Sequence, residues 1–377
     1  MVKAGKILVP WYRYPPFSND RIGGLSVAVW ELTTHLAKKG NRLDILTPRP
    51  PPEDGFVPAG VRVISSELGS KFFNNQTLER NEERSLDDYD RILSVTNYAA
   101  RTLSSNTINC KTIRQIHAVG QDRGITTYLT LKPTITEYLK MALAKRRDEK
   151  NLLRLRGTKT ICVSEFIKRR MEQGLEDTRN LHWIPNGIET ERFRPMHADK
   201  TFDLLCISRF QRANGLDLLL KALNLIASEK HQAYSLAIVG DFSHGQREYL
   251  LRFVQSWLRE SILFLGTVHR DQLPNVINRA RLVVVPVRYE SFGLPALEAI
   301  ACGVPVLAAR VGGLPEIVDE SVGGLVNPND DRALAQRIYE LLQNHDLAEK
   351  VLTSGPTRAR RYDWNHIATA LQEAIFS

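Results

Sequence analysis

The sequence predicts an α/β protein made of two doubly wound domains. Three observations carry that reading. The chain has 377 residues, too many for one comfortable hydrophobic core and about right for two. Short apolar runs bounded by turn residues recur in both halves, as buried parallel strands do. Stretches of helical periodicity alternate with those runs, which is the pattern of βαβ units.

In the first half, "KILVPW" (6–11) reads as the first strand, followed by a loop and a helix from Leu25 to Lys39 with Gly40 as its stop. The strands "RLDILTP" (42–48), "VRVISS" (61–66), "DRILSVT" (90–96), "KTIRQIHAV" (111–119) and "KTICVS" (159–164) follow. The second half repeats the design with "FDLLCISR" (202–209), "YSLAIVGD" (234–241), "ILFLGTV" (262–268), "RLVVVPV" (281–287) and "VPVLAA" (304–309). Between them "IPNGIETERFRP" (184–195) has the turn residues and non-periodic charges of an interdomain hinge. The predicted division is residues 1–186, residues 187–360 and a C-terminal helix, 361–377, that packs back on the first domain. "YDWNHIATALQEAIF" (362–376) sets Ile367, Leu371, Ala374 and Ile375 on one side of that helix.

Bulk properties narrow the classes. The chain is 43% hydrophobic and 25% charged, which fits an ordinary globular protein. No apolar run of about 18 residues is present to span a membrane. The N-terminal apolar segment gives way to Tyr12 and Arg13, and reads as a strand rather than a secretory signal. Cys110, Cys162, Cys206 and Cys302 are scattered through apolar segments, so buried free thiols in a reducing cytosol are expected. The net charge of +9 is uneven: residues 1–200 hold 33 basic against 23 acidic residues, and the remainder 18 against 19. Such a field favours an anionic partner of the first half. Residues 131–159 hold nine Lys/Arg against three acids and have an apolar side (Leu139, Ala142, Leu143), as a helix lying on an anionic membrane does; a solvated helix packed on its own domain fits too. No aromatic-interleaved basic patch points to nucleic acid. No His/Cys/Asp cluster has metal-ligand spacing, and "LDDYD" (86–90) runs into a strand start rather than ending one.

The chemistry concentrates in "RYESFGLPALEAIA" (288–301). Ligands of open α/β sheets bind beyond the carboxyl ends of strands, where Glu290 falls. Pro295 is tolerated only at a helix start, so a helix begins near Leu294 or Pro295 and carries Glu298 in its first turn. The N–H groups of Phe292, Gly293 and Leu294 then face the crevice, and the helix dipole favours an anion there. Two carboxylates beside an anion site, each able to accept from sugar hydroxyls, describe a nucleotide-sugar. An acid at a loop end and an acid in a first turn are also ordinary stabilising choices. "GLPE" (313–316) reads equally as a second such helix start and as plain packing, and "VGDFSHG" (239–245) as a loop.

Over 288–318, "RYESFGLPALEAIACGVPVLAARVGGLPEIV" resembles the signature of family 4 retaining glycosyltransferases, including its E-x7-E pair. "PPFSNDRIGGLSVAVWELTTHLAKKGNRLDILTP" is similar to that family's glycine-rich first loop and helix, "IPNGIETERFRP" to its interdomain segment and "YDWNHIATAL" to its closing helix. The resemblance implies a GT-B fold, with two Rossmann-like domains facing across a cleft that closes to exclude water. It implies that Gly23 and Gly24 admit the donor's diphosphate and sugar, and that His117 lies by the reacting sugar. Arg209 would pair with the diphosphate, Glu290 with the transferred sugar and Glu298 with the ribose. Backbone near Val268 would meet the base, and Ser291, Phe292, Gly293 and Leu294 complete the donor site. Asn214 stands where the family usually has a second phosphate-facing Lys; Arg212 is the cation nearest in sequence. The expected activity is metal-independent, retaining hexosyl transfer from a UDP- or GDP-sugar to a glycan, lipid-linked or small-molecule acceptor. The place implied is the cytoplasm, including the inner face of an anionic membrane. A non-catalytic nucleotide-sugar-binding partner subunit and a sugar-nucleotide epimerase stay open as alternatives.

Overall fold

A computed structural model describes residues 4–10, 24–47, 57–65, 88–95, 112–116, 158–173, 175 and 177–377. Gly23, Cys110, His117 and the basic stretch up to residue 157 lie outside the described residues. The chain divides into two compact units, whose described residues are those up to Gly187 together with Tyr362–Ser377, and Ile188–Arg361.

The first unit holds β1 (Lys6–Pro10), α1 (Gly24–Lys38), β2 (Arg42–Thr47), β3 (Val61–Ser65), β4 (Arg91–Ser94), β5 (Thr112–Ile116), β6 (Thr160–Cys162), α2 (Glu165–Glu172) and β7 (Leu181–Trp183). The strands pair in parallel in the order β3-β2-β1-β4-β5-β6-β7. β1 and β2 pair Ile7 with Leu43 and Val9 with Ile45. Those four side chains share one core with Val29, Leu32 and Leu36 of α1. On strands of period two, Leu8, Leu46 and Ile92 turn to the opposite face and join Ile64 and Tyr89.

The second unit holds β8 (Phe202–Ile207), α3 (Leu216–Lys230), β9 (Leu236–Val239), α4 (His244–Leu251), β10 (Ile262–Gly266), α5 (Leu273–Asn278), β11 (Ala280–Val285), α6 (Leu294–Ala301), β12 (Val306–Ala309), α7 (Leu314–Ile317), β13 (Gly323–Val326), α8 (Asp331–Gln343) and α9 (His345–Ala359). Its six parallel strands run β10-β9-β8-β11-β12-β13. Leu204 and Cys206 of β8 and Leu282 and Val284 of β11 pack on α3, α4 and α8. Side-chain caps start the helices where turn chemistry supplies them. Ser243 and Gln246 close a reciprocal box on α4, and Asp330 caps α8.

The chain ends in α10 (Trp364–Phe376), within the first unit. Trp364, Ile367, Leu371 and Ile375 enter the core of β1, β2 and α1. The Trp364 ring stacks on His35 of α1 at 5.7 Å, and Gly187 leaves no room for a side chain against it. Arg91 Nε and Lys159 Nζ donate to the carbonyls of Ile375 and Ala374, which places two cations at the negative end of the helix dipole. Burial and the neighbouring Arg91 hold the Lys159 ammonium below its ordinary value.

The six strands of the second sheet follow the order of the first six of the first sheet, which adds β7 at its edge, and each sheet reverses direction once, between β1 and β4 and between β8 and β11. Such a reversal leaves a crevice at the carboxyl ends of the two strands. In the second unit, β8 leads to Arg209 and β11 leads to Glu290 there.

Candidate active site

The loop after β8 is a 3₁₀ turn, Arg212–Asn214, ended by Gly215. The loop after β11 reaches α6 through Tyr289–Gly293. Arg288 joins the two loops. Its N–H donates to the Ala213 carbonyl at 2.7 Å, its Nη1 to the Arg212 carbonyl at 2.6 Å, and its fork to both Asp217 oxygens at 2.8 Å. Its Nε reaches Asn329 Oδ1 at 2.6 Å. A guanidinium with its donors so engaged is rigid, and it fixes the loop of Arg209 against that of Glu290. The Asn214 side chain is half-buried in the same turn, while Arg209 and Arg212 are exposed.

Glu290 is half-buried. Its Oε1 accepts from the N–H of Ser291 at 2.9 Å and of Phe292 at 3.3 Å. Burial pushes its carboxyl above the ordinary value of 4.5; the N–H groups of Phe292, Ser291 and Gly293 and the Arg209 charge pull against it. The main chain of Glu290 is fixed too, because its carbonyl accepts from Gly313 N at 3.2 Å. Gly312, at φ 57°, lies so close beneath that an added Cβ would stand 1.6 Å from that oxygen.

This corrects one expectation. Sequence reasoning leaves the N–H groups after residue 291 for a phosphate, but Ser291, Phe292 and Gly293 direct theirs at the Glu290 carboxylate. The turn is so tight that the acid closes on its own following backbone. Gly293 is needed at φ 112°, and a Cβ there would meet Leu314 at 2.6 Å, so the packing of α7 uses it as well. Phe292 is buried, whereas Ser291 and Leu294 are half-buried at the crevice.

Glu298 requires a second correction. α6 starts at Leu294 with Pro295 as its second residue, which puts Glu298 in the second turn rather than the first. It is 3% exposed, and Arg270 Nη1 donates to its Oε1. The Arg270 guanidinium lies 4.5 Å above the ring of Phe193. Val268, half-buried past the end of β10, is two residues before Arg270. The structure thus gathers Arg209, Asn214, Val268, Glu290, Ser291, Phe292, Gly293, Leu294 and Glu298 onto the loops and helix starts at one end of one sheet. Gly24 belongs to the first unit, as the first residue of α1, and His117 and Gly23 are outside the described residues.

Arg270 and Arg288 are the residues that sequence reasoning misses. Each follows a predicted strand by a few positions, but nothing in the sequence shows which acid it pairs with. Cys162, Cys206 and Cys302 are free and buried, and burial pushes the first two thiols up to about 12. Among the described residues there is no group of three or more His, Cys, Asp or Glu suited to a metal ion, and no helix long and apolar enough to cross a membrane.

Two family models match in tandem: Glycosyltransferase Family 4 over residues 22–192 and Glycosyl transferases group 1 over residues 187–357. The chain belongs to this glycosyltransferase family, and its fold is GT-B. The O-antigen chain mannosyltransferase B of Escherichia coli is 36% identical over 217 residues, 57% of this chain and 52% of that protein. The chain spans about half the length of the curated relatives it matches. Among solved structures, the sucrose-phosphate synthase of Thermosynechococcus elongatus superposes with a TM-score of 0.77 at 21% identity, over 97% of each chain. The Anabaena protein HepE, in complex with UDP and glucose, gives 0.73 at 19% identity over 99% of this chain and 100% of that one.

Proposed function

We propose that the chain transfers a hexosyl group from a UDP- or GDP-sugar to an acceptor hydroxyl with retention at the anomeric carbon. The observation that carries this is the juxtaposition at one strand switch point of an exposed cation, Arg209, with a half-buried, backbone-held carboxylate, Glu290. In this reading Arg209 meets the diphosphate, Glu290 accepts from hydroxyls of the transferred sugar, and Glu298 from the ribose. The bond between the anomeric carbon and the phosphate oxygen breaks as the acceptor oxygen attacks from the same face. The acceptor's proton passes to the leaving phosphate. Arg209 can balance the charge on that phosphate, so the reading calls for no metal. The mannosyltransferase relative supports a hexosyl donor, and the solved complex of HepE supports a uridine nucleotide on this fold. The basic excess of residues 1–200 supports an anionic or lipid-linked acceptor, met at a membrane surface from the cytoplasmic side.

The test is thermal stability against UDP, GDP, ADP and their sugar conjugates without added metal, followed by a product assay on the responder. A ligand at about 100 times its Kd stabilises by about 2.7 kcal/mol, a shift of several degrees. One responding base and release of its diphosphate on addition of acceptor are expected. Silence from every nucleotide refutes the reading. Binding without turnover that N214K converts to turnover would instead identify a partner subunit that has lost its second phosphate cation.

A further inference from the structure

From the contacts of Glu298 we infer that Arg270 is a positioning residue for nucleoside recognition: it occupies one oxygen of the Glu298 carboxylate and presents the other to a ribose diol. This rests on the proposed nucleotide-sugar site. Glu298 is 3% exposed on the second turn of α6, where an ionised carboxylate needs a partner. Arg270 supplies it from another element, the segment after β10, with Nη1 donating to Oε1. Among the described residues no hydrogen bond reaches Oε2, so one acceptor oxygen is left for a ligand. The arginine is itself held. Its side chain is 14% exposed and its guanidinium lies 4.5 Å over Phe193, a ring that is 1% exposed. A planar cation on a buried aromatic face has little freedom to swing, so the direction of Oε2 is set before any ligand arrives. A ribose presents two adjacent hydroxyls, and one oriented carboxylate oxygen beside a fixed cation can select for them.

The geometry also explains a choice of residue type. Lysine would supply charge, but neither a flat ion to lie on Phe193 nor a second N–H aimed by the first. Arg270 needs no contact with the ligand in this arrangement; it acts through Glu298.

Titration calorimetry on the full chain tests this, with UDP and GDP each measured beside its 2′,3′-dideoxy form. The quantity read is the ratio of the two Kd values. Wild type is expected to favour the ribose form of the bound nucleotide by about 10–100-fold, the range of hydrogen bonds to a charged acceptor. R270M and E298Q should each bring the ratio within about threefold of unity, and R270M/E298Q should bring it no lower than E298Q alone. A general loss of stability would weaken both nucleotides equally and leave the ratio unmoved. An R270M protein that keeps the wild-type ratio overturns the inference. If R270M does not fold, F193L decides, since it removes the ring and keeps both charges: a lowered ratio is expected and an unchanged one refutes the proposal. Wild type that binds the diphosphate but ignores the diol refutes the inference while leaving hexosyl transfer intact. Wild type that binds neither nucleotide removes the site reading and this inference with it.

Discussion

At Glu290, the proposed function and stability are set against each other. Burial raises the carboxyl from its ordinary value of 4.5, so the folded protein holds that proton more tightly than the unfolded chain does. The sign follows from linkage: what Glu290 contributes to stability is fully present below 4.5 and is lost as pH rises through the folded value. Glu290→Gln keeps an acceptor for the N–H groups of Ser291 and Phe292 and removes the half-buried charge. The variant is expected to melt at or above the wild-type temperature at pH 7 and to show no such gain at pH 4. Its transfer rate should fall by about 10²–10³-fold, as when an electrostatic contact to a reacting group is lost. Melting curves at the two pH values, with turnover at pH 7, check both halves. A parallel loss of stability and activity at pH 7 would mean that Glu290 is a packing residue. The candidate site was legible at this scale because Glu290 and Glu298 frame a Gly and a Pro whose backbone demands are strong. The partners of those acids were not legible. Arg270 is 28 residues from Glu298 and Arg288 is 71 from Asp217, distances that only the folded sheet closes.

Among the elements, the strands that read most clearly are those buried on both faces, such as β8, β9 and β11, where apolar runs leave no choice of partner. β7 and β13 escape a sequence reading. Leu181–Trp183 is three residues long with two of them exposed, and Gly323–Val326 opens on two glycines. Both join their sheets through backbone pairing to a neighbour, which leaves little trace in composition. The turns around the site depend on backbone geometry in the same way. Gly312 supports the Glu290 carbonyl from below, and Gly312→Ala would place a methyl where that oxygen lies. The variant should lose several degrees of Tm and about tenfold or more in transfer rate, because strain at a left-handed position and a displaced loop act together. Unchanged kinetics in a well-folded G312A protein would show that the position of Glu290 is not critical.

For the whole molecule, α10 belongs to the core of the unit that begins the chain, although the second unit lies between them in sequence. Trp364 is among the largest fully enclosed side chains, set between His35 and Gly187. Trp364→Ala is expected to cost about 3–5 kcal/mol, the range for an aromatic removed from a core. Urea unfolding followed by hydrogen exchange should assign that loss to the first unit and leave the strands of the second unit protected. Equal loss in both units would show that they unfold as one.

That arrangement has a consequence for how the chain leaves the ribosome. Domains fold as they emerge, usually the N-terminal one first, at about 5–20 residues per second. Here the described residues of the first unit are completed only after those of the second. Ile188–Arg361, the described part of the second unit, has been synthesised while β1, β2 and α1 still lack the helix that shares a core with Val29, Leu32 and Leu36. From Gly187 to Phe376 that wait lasts on the order of 10–40 seconds at those rates. Until α10 has emerged, Val29, Leu32 and Leu36 lack part of the core they share with it.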